Sequence, residues 1–207
     1  NIKAYNLSAF LYLNFIELQS EIANSNFAGY ISRDSKGDFT KGFWIEGNKG
    51  EQTYLMNPYG DYKKYVLNQL EQVLDTYDFD GIFLDRLDYS NNNYDYLFSS
   101  RPSSIVQYYD IASKRSFINI MDNYEVLLKA VSEKVHSRGK LLIINWPRSQ
   151  NLIQYSDAVT IDISDSDSRQ YYPLFNNLVS SSFDKPVYIF PVPTPFDGRP
   201  DLTEEDV

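Results

Sequence analysis

The chain has 207 residues and carries 28 acidic and 19 basic side chains, which gives a formal net charge of −9. Hydrophobic residues make up 43% of it and charged residues 23%, a balance typical of a globular domain with a core and not of a disordered or fibrous chain. The acidic balance argues against duplex DNA and anionic membranes, because both need a cationic partner. No apolar run reaches the roughly 18 residues of a membrane span.

Two residue types restrict the chemistry further. The sequence contains no cysteine, which excludes thiolate nucleophiles, disulfides and cysteine-based metal sites. Its one histidine, His136, excludes multi-histidine metal sites, and its position in the last turn of a predicted helix suits an interaction with the helix dipole. The remaining reactive side chains are mostly carboxylates, in a chain that is rich in tyrosine, with 18.

Short apolar strands alternate with amphipathic helices along the chain. Strands are predicted at residues 9–15, 54–56, 79–85, 140–145, 158–163 and 186–191, and helices at residues 61–77 and 117–135, the second ended by Gly139. Two polar segments, 33–52 and 89–110, are predicted as loops, the first with room for a short strand at 43–45. The alternation indicates a parallel α/β sheet, and the lack of a glycine-rich phosphate loop favours a (β/α)8 barrel over a doubly wound sheet.

The length does not suit a complete barrel. A full barrel takes about 250 residues and eight strands, against about six strands predicted here. Residues 201–207 resemble the capped first turn of a helix. We therefore expect residues 1–207 to be one catalytic-type barrel domain that continues beyond one or both ends of this chain.

Carboxylates end two of the predicted strands, at the edge where a barrel places its active site. Alternation puts Asp85 on the same face as Gly81 and Phe83, and Asp162 ends strand 158–163 in a similar way. Two such carboxylates can hydrolyse a glycosidic bond, one as nucleophile or charge stabiliser and the other as general acid. Asp165 is an alternative acid. Loop capping, or a calcium loop without the usual glycine and glutamate, are alternative interpretations.

Other side chains near the predicted barrel mouth could bind a sugar. Amides at strand ends can bond to sugar hydroxyls, and aromatic rings can pack against sugar C–H faces. We assign substrate binding to Tyr12, Asn14, Asn57, Arg86, Asp88, Asn145 and Trp146. Strand-end caps, core packing and an Arg86–Asp88 salt bridge are the alternatives. The tyrosines of segment 89–110 could likewise line a sugar subsite or only pack that segment down.

Three parts of the sequence together resemble the core of glycoside hydrolase family 66, the dextranases and cycloisomaltooligosaccharide glucanotransferases. They are Tyr54-Leu55-Met56-Asn57-Pro58, a helix with Tyr65, and the strand from Phe79-Asp80-Gly81 to Asp85. Related barrel hydrolases share the Asn-Pro…Asp-Gly-Ile-x-x-Asp-Arg pattern. The resemblance extends over residues 5–165 and is sharpest over 54–89.

The resemblance implies a (β/α)8 barrel that acts on a polysaccharide without a cofactor. It also implies that Asp85 is the nucleophile, and hence that the anomeric configuration is retained. The family's acid/base is a glutamate at a later strand end, whereas the matching strand here carries Asp162. No metal ligand is implied.

We therefore expect a bacterial glycoside hydrolase that is secreted or exposed at the cell surface and binds a carbohydrate substrate. A transglycosylase would use the same carboxylates. A non-catalytic carbohydrate-binding barrel would bind sugar without cleaving it. A scaffold whose strand-end carboxylates only cap loops would bind no sugar at all.

Overall fold

A computed structural model of the chain describes residues 8–46, 51–85, 94–99, 105–145, 147, 150–164 and 185–192. The centre of the fold is a five-stranded sheet whose neighbouring strands all run parallel. Across the sheet, the strands are β1 (Phe10–Leu13), β5 (Gly81–Leu84), β9 (Leu141–Asn145), β10 (Ala158–Ser164) and β11 (Val187–Val192).

The strands stand in the sheet in the same order as in the chain. A (β/α)8 barrel has this order, whereas a doubly wound sheet reverses direction at a switch point. The prediction of a parallel α/β sheet is confirmed. Among the described residues, the strands and helices form a mixed α/β fold. The five parallel strands described do not close into a barrel.

Two small antiparallel sheets are inserted where strands of the central sheet end. The first contains β2 (Glu17–Gln19), β3 (Lys41–Glu46) and β4 (Glu51–Leu55), and follows β1. The second contains β6 (Tyr94–Tyr96), β7 (Tyr108–Asp110) and β8 (Arg115–Asn119), and follows β5. Both insertions therefore begin at the carboxyl edge of the central sheet.

The helices lie in the connections between the strands. They are α1 (Ser20–Asn26), a 3-10 helix (Ala28–Tyr30), α2 (Gly60–Thr76), α3 (Ile120–Ser137) and α4 (Gln150–Ile153). The two long helices agree closely with the predicted ones. Gly139 ends α3 as predicted, with a φ of 65° that glycine adopts without strain.

The hydrophobic core lies between one face of the central sheet and the long helices. Alternate strand residues on this face are fully buried, namely Ile82, Leu84, Leu142, Ile144, Val159 and Ile161. The apolar stripes of the helices belong to the same cluster, with Tyr62, Val66 and Leu70 from α2 and Tyr124, Leu128 and Val131 from α3. Alternation leaves the opposite face of the sheet for the polar strand-end residues.

The prediction of a loop over 89–110 was wrong in part, because this segment contains β6 and β7. Each of these strands has three residues, too few for alternation to reveal. Their shared partner β8 occupies residues that were predicted as the first turn of a helix, so α3 begins at Ile120 and not at residue 117 as predicted. Asn119 caps that start, since its side chain accepts from the Met121 N–H at 2.9 Å.

Gly81 is the first residue of β5 and is aligned with Phe10 of β1 and Leu141 of β9. A Cβ atom there would be 2.5 Å from the Leu141 carbonyl oxygen and 2.5 Å from the Phe10 ring. We expect Gly81→Ala to lower the free energy of unfolding by about 1–3 kcal/mol, the usual cost of overpacking. Urea denaturation monitored by circular dichroism measures this loss.

Gly29 provides the matched control. It has open space around its Cβ position, so Gly29→Ala should change the unfolding free energy by less than about 0.5 kcal/mol. Equal stabilities of the two variants would contradict this account of the strand spacing.

Candidate active site

Asp85 is the first residue after β5, at the carboxyl edge of the central sheet. Its backbone N–H donates to the Leu13 carbonyl at 2.9 Å, which extends the pairing with β1 by one residue. Only 7% of Asp85 is exposed. A carboxylate buried to this extent needs hydrogen-bond donors to replace water.

The neighbouring strands supply two such donors. The Tyr12 hydroxyl of β1 donates to Oδ2 of Asp85. The Asn145 Nδ2 of β9 donates to Oδ1 at 2.7 Å. Asp85 is therefore held from both sides, one oxygen by each adjacent strand, and its orientation is fixed.

Thr160 of β10 determines the orientation of the Asn145 side chain. Its hydroxyl donates to Oδ1 of Asn145 at 2.9 Å, and both residues are buried. Because the amide oxygen accepts this bond, the amide nitrogen is directed toward Asp85. The four hydrogen-bonded residues Tyr12, Asp85, Asn145 and Thr160 are called the strand-end network below.

Strand register explains why the network forms. Tyr12 is aligned with Phe83, and Asn145 with Thr160. In parallel strands, aligned residues project from the same face of the sheet, so Asp85 meets both partners there. The Tyr12 ring also stacks on Phe83, with centroids 5.9 Å apart. Tyr12 is 53% exposed and gives the network an open side.

This arrangement can support carboxylate chemistry. A carboxylate held by fixed donors beside an exposed aromatic ring is suited to attack an electrophilic carbon or to stabilise positive charge there. Within the described ranges, no group of three or more aspartate, glutamate or histidine side chains could hold a metal ion. None of the described helices is long and apolar enough to cross a membrane.

Asn14 has a local structural contact. Its side-chain oxygen accepts from the backbone N–H groups of Ile16 at 2.9 Å and Glu17 at 3.3 Å. These bonds shape the turn from β1 into β2. This is the strand-end cap that the sequence left as the alternative to sugar binding.

Asn57 lies in a second buried network. Its Nδ2 donates to Asp95 at 3.1 Å, and its Oδ1 accepts from Asn123 at 2.7 Å. Asp95 also accepts from the backbone N–H of Arg33 at 3.0 Å. The network thus connects the segment before β3, the segment after β4, the strand β6 and the helix α3.

Sequence reasoning missed Thr160, Asp95 and Asn123. Thr160 had a detectable signal, because it alternates with Asp162 on a predicted strand that lies next to the strand of Asn145. Asp95 lay in a predicted loop, and Asn123 is polar within a helical pattern. Neither of these two has a sequence pattern that indicates a buried hydrogen bond.

Several predicted site residues lie outside the described residues, namely Arg86, Asp88, Trp146 and Asp165. Asp162 belongs to β10, where its backbone is aligned with Phe190 of β11. Its position is two residues after Thr160, and its side chain is outside the described part. The structure thus brings together Asp85, Tyr12 and Asn145 from the predicted set.

Comparisons with solved structures identify chains of similar fold. A cycloisomaltooligosaccharide glucanotransferase from Paenibacillus sp., complexed with cycloisomaltoheptaose, has a TM-score of 0.60 and 17% identity over 91% of this chain and 27% of its own. The α-L-fucosidase isoenzyme 2 from Paenibacillus thiaminolyticus has a TM-score of 0.50 and 12% identity over 76% of this chain and 24% of its own. The glycoside hydrolase domain of PelA from Pseudomonas aeruginosa has a TM-score of 0.48 and 14% identity, over 90% of this chain and 68% of its own.

The similarity to the glucanotransferase and to the fucosidase is one of fold, and it does not show family 66 specifically. No protein-family model matches the chain, and no curated protein matches it significantly. The chain spans about a quarter of the length of the glucanotransferase and of the fucosidase, at 27% and 24%.

The bond between Asn145 and Asp85 can be tested without any substrate. In Asn145→Asp, two buried carboxyls face each other, and their repulsion raises the pKa of one of them in the folded state above its unfolded value of about 4. The folded state then binds more protons than the unfolded state, so the variant loses stability as pH rises above about 4. We expect a loss of at least about 2 kcal/mol at pH 7, relative to the wild type, and little of it near pH 4.

Asn145→Ala is the control. It removes the donor without adding a carboxyl, so its stability deficit should grow much less between pH 4 and pH 7 than that of Asn145→Asp, by no more than the loss of one hydrogen bond to the Asp85 carboxylate. Urea denaturation at both values measures the difference. Parallel pH profiles for the two variants would contradict the assigned contact.

Proposed function

We propose that the chain belongs to a (β/α)8-barrel glycoside hydrolase that cleaves glycosidic bonds in an oligosaccharide or polysaccharide. In this proposal Asp85 is the nucleophile and Asp162 is the general acid/base. The observation that carries it is the buried Asp85 carboxylate, oriented by Tyr12 and Asn145 at the carboxyl edge of a parallel sheet. In barrels this edge bears the active site.

The fold comparisons support the proposal. The two chains with TM-scores of 0.60 and 0.50 are a glucanotransferase and a fucosidase, and both names describe action on sugars. The order of the parallel strands, which is the same in the sheet as in the chain, also supports a barrel. Asp162 belongs to β10, two residues beyond Thr160. In the sheet, β9 lies between β10 and the strand β5 that precedes Asp85.

The proposed reaction has two steps. In the first, an Asp85 carboxylate oxygen bonds to the anomeric carbon while the glycosidic oxygen leaves and takes the proton of the Asp162 carboxyl. In the second, the Asp162 carboxylate takes a proton from water, whose oxygen attacks the anomeric carbon and releases Asp85. Tyr12 and Asn145 hold the nucleophile in position throughout, so little reorganisation is needed during attack.

Transglycosylation is the second candidate. It follows the same first step, after which a sugar hydroxyl replaces water as the acceptor. The similarity to a glucanotransferase favours it. Product analysis by mass spectrometry separates the two, because transfer gives oligosaccharides longer than the substrate.

Asp85→Asn tests the nucleophile. We expect at least about a 10³-fold loss of reducing-sugar release from a panel of α- and β-glucans and other polysaccharides, because the amide cannot form the glycosyl ester. Asp80→Asn is the matched control, since Asp80 lies at the other end of the same strand and accepts from the Ala9 N–H at 2.7 Å. It should retain most of the activity.

Three outcomes are informative. Activity that survives in Asp85→Asn would remove Asp85 from this role. Sugar binding by both proteins without release from any substrate would indicate a carbohydrate-binding barrel. Neither binding nor release by the wild type would leave only a scaffold function.

Asp162→Asn tests the acid/base. We expect a large loss on natural glycosides but a much smaller loss on aryl glycosides, whose leaving groups need little protonation. Azide, which needs no base, should restore the second step and give a glycosyl azide. Asp165→Asn is the control. If azide restored activity in Asp165→Asn but not in Asp162→Asn, the acid/base role would pass to Asp165.

A further inference from the structure

The second small sheet presents a set of aromatic rings on one face. Alternation and strand register put these residues on the same side of the sheet: Tyr94 and Tyr96 from β6, Phe98 just after it, Tyr108 from β7 and Phe117 from β8. We call this set the aromatic face. On β6 and the paired part of β8, the residues of opposite parity, Asp95 and Ile118, are buried at 0% and 1% exposure, so the aromatic face is the outer one there. On β7, the opposite side is also open to solvent, since Tyr109 is 62% exposed.

Phe117 lies at the centre of the aromatic face. Tyr108 stacks on it, with centroids 5.5 Å apart and an interplanar angle of 20°. Tyr94 meets it edge-on at 4.7 Å, and Tyr96 lies at 5.8 Å. Tyr94 and Tyr108 nevertheless remain 47% and 42% exposed, so the rings are ordered against each other and open to solvent.

Polar groups border these rings. The Tyr96 hydroxyl donates to Asp110 at 3.2 Å, and the Tyr108 hydroxyl donates to Asp122 at 2.9 Å. The Arg115 guanidinium carbon lies 3.9 Å from the centre of the Phe98 ring. Asp110 and Arg115 occupy aligned positions on β7 and β8. With Asp122, two carboxylates and one guanidinium therefore border the rings.

A groove at this sheet is lined by Phe98 and Arg115 of the aromatic side and by residues of the opposite side, Leu97, Tyr109 and Ser116 among them. It is open to solvent and has a volume of about 500 Å³, within the range of small-molecule sites. Its lining offers several hydrogen-bonding side chains beside Phe98 and Tyr109, namely Ser99, Gln107, Lys114, Arg115 and Ser116. Flat rings next to a polar groove can accommodate both the C–H faces and the hydroxyl groups of sugar units.

The aromatic face is continuous along the chain with the candidate active site. The second small sheet begins with β6, the next described element after β5, and Asp85 directly follows β5. The nine peptide units from Asp85 to Tyr94 span at most about 32 Å. The Tyr96 N–H also donates to the Arg33 carbonyl at 2.9 Å, which ties the small sheet to the other insertion at the same edge.

We propose that the aromatic face is a secondary binding surface for an uncharged polysaccharide chain, separate from the strand-end network. The proposal rests on the proposed glycoside hydrolase function and extends it to a polymeric substrate. A polyanion is disfavoured, because Asp110 and Asp122 border the rings and the chain as a whole has a net charge of −9. A polymer bound here would be retained near Asp85 while its bonds are cleaved.

Affinity electrophoresis tests the proposal in gels that contain dextran, pullulan, laminarin or mixed-linkage β-glucan. Asp85→Asn serves as the parent protein, so that no polymer is degraded. Adding Tyr94→Ala and Tyr108→Ala together should weaken binding to at least one polymer by about tenfold or more, which corresponds to about 1.4 kcal/mol of binding free energy.

Tyr77→Ala is the matched control, because Tyr77 is 61% exposed and lies just after α2, outside the aromatic face. It should bind as the parent does. Circular dichroism and thermal unfolding establish that the double variant is folded, and Phe98→Ala gives a second, single-ring variant. Equal binding of parent, double variant and Phe98→Ala, or no binding by the parent to any polymer, overturns the proposal.

Two further measurements separate this proposal from its rivals. Sedimentation velocity of the parent and the double variant tests self-association, and a dimer lost on substitution would overturn the proposal in favour of a second copy of the chain. A second version of the double variant, Tyr94→Ala with Tyr108→Ala, keeps the natural Asp85. Its hydrolysis of short oligosaccharides tests the active site alone. Loss of polymer binding with intact oligosaccharide hydrolysis supports the aromatic face, whereas polymer binding without any hydrolysis contradicts only the proposed enzyme.

Discussion

The central constraint on this fold is the need to satisfy a buried carboxylate at the edge of a parallel sheet. Asp85 is almost fully removed from solvent, and leaving either oxygen without a donor would cost about 1–3 kcal/mol or more. The donors come from the strands on either side, Tyr12 from β1 and Asn145 from β9. A one-residue slip of either strand would turn its donor to the other face. The polar network and the apolar core on the opposite face therefore require the same register.

Sequence reasoning was sufficient for the centre of the site. Asp85 and Asn145 both end apolar strands, and the alternation that buries Ile82 and Leu84 also assigns the face of Asp85. The pairing of Tyr12 with Asp85 required the register of two strands far apart in the chain, which the sequence does not contain. Tyr12 stays a predicted sugar-binding residue, and the structure adds two contacts that the sequence did not indicate, a ring stack on Phe83 and a hydroxyl bond to Asp85.

The insertions were harder to predict for a physical reason. Their strands are short, and their stability comes from cross-strand ring contacts and from buried polar groups, not from a long apolar pattern. Asp95 illustrates this, because a charged residue in a polar segment indicates a solvated loop. In the structure it is fully buried and receives hydrogen bonds from Arg33 and Asn57. Asn57 came from the recognisable Asn-Pro segment, yet its partners could only be identified from the tertiary structure.

The sequence distances within the strand-end network have a consequence for the order of folding. The bond from Tyr12 to Asp85 joins residues 73 apart, and the bond from Asn145 to Asp85 joins residues 60 apart. Long-range contacts of this kind form late, since the intervening chain must first lose loop entropy. On a ribosome, the network cannot be completed until β10, which carries Thr160, has left the exit tunnel. A partly synthesised chain would thus hold Asp85 without its Asn145 partner, and the Asp85 carboxylate would be held from both sides only when the sheet is assembled.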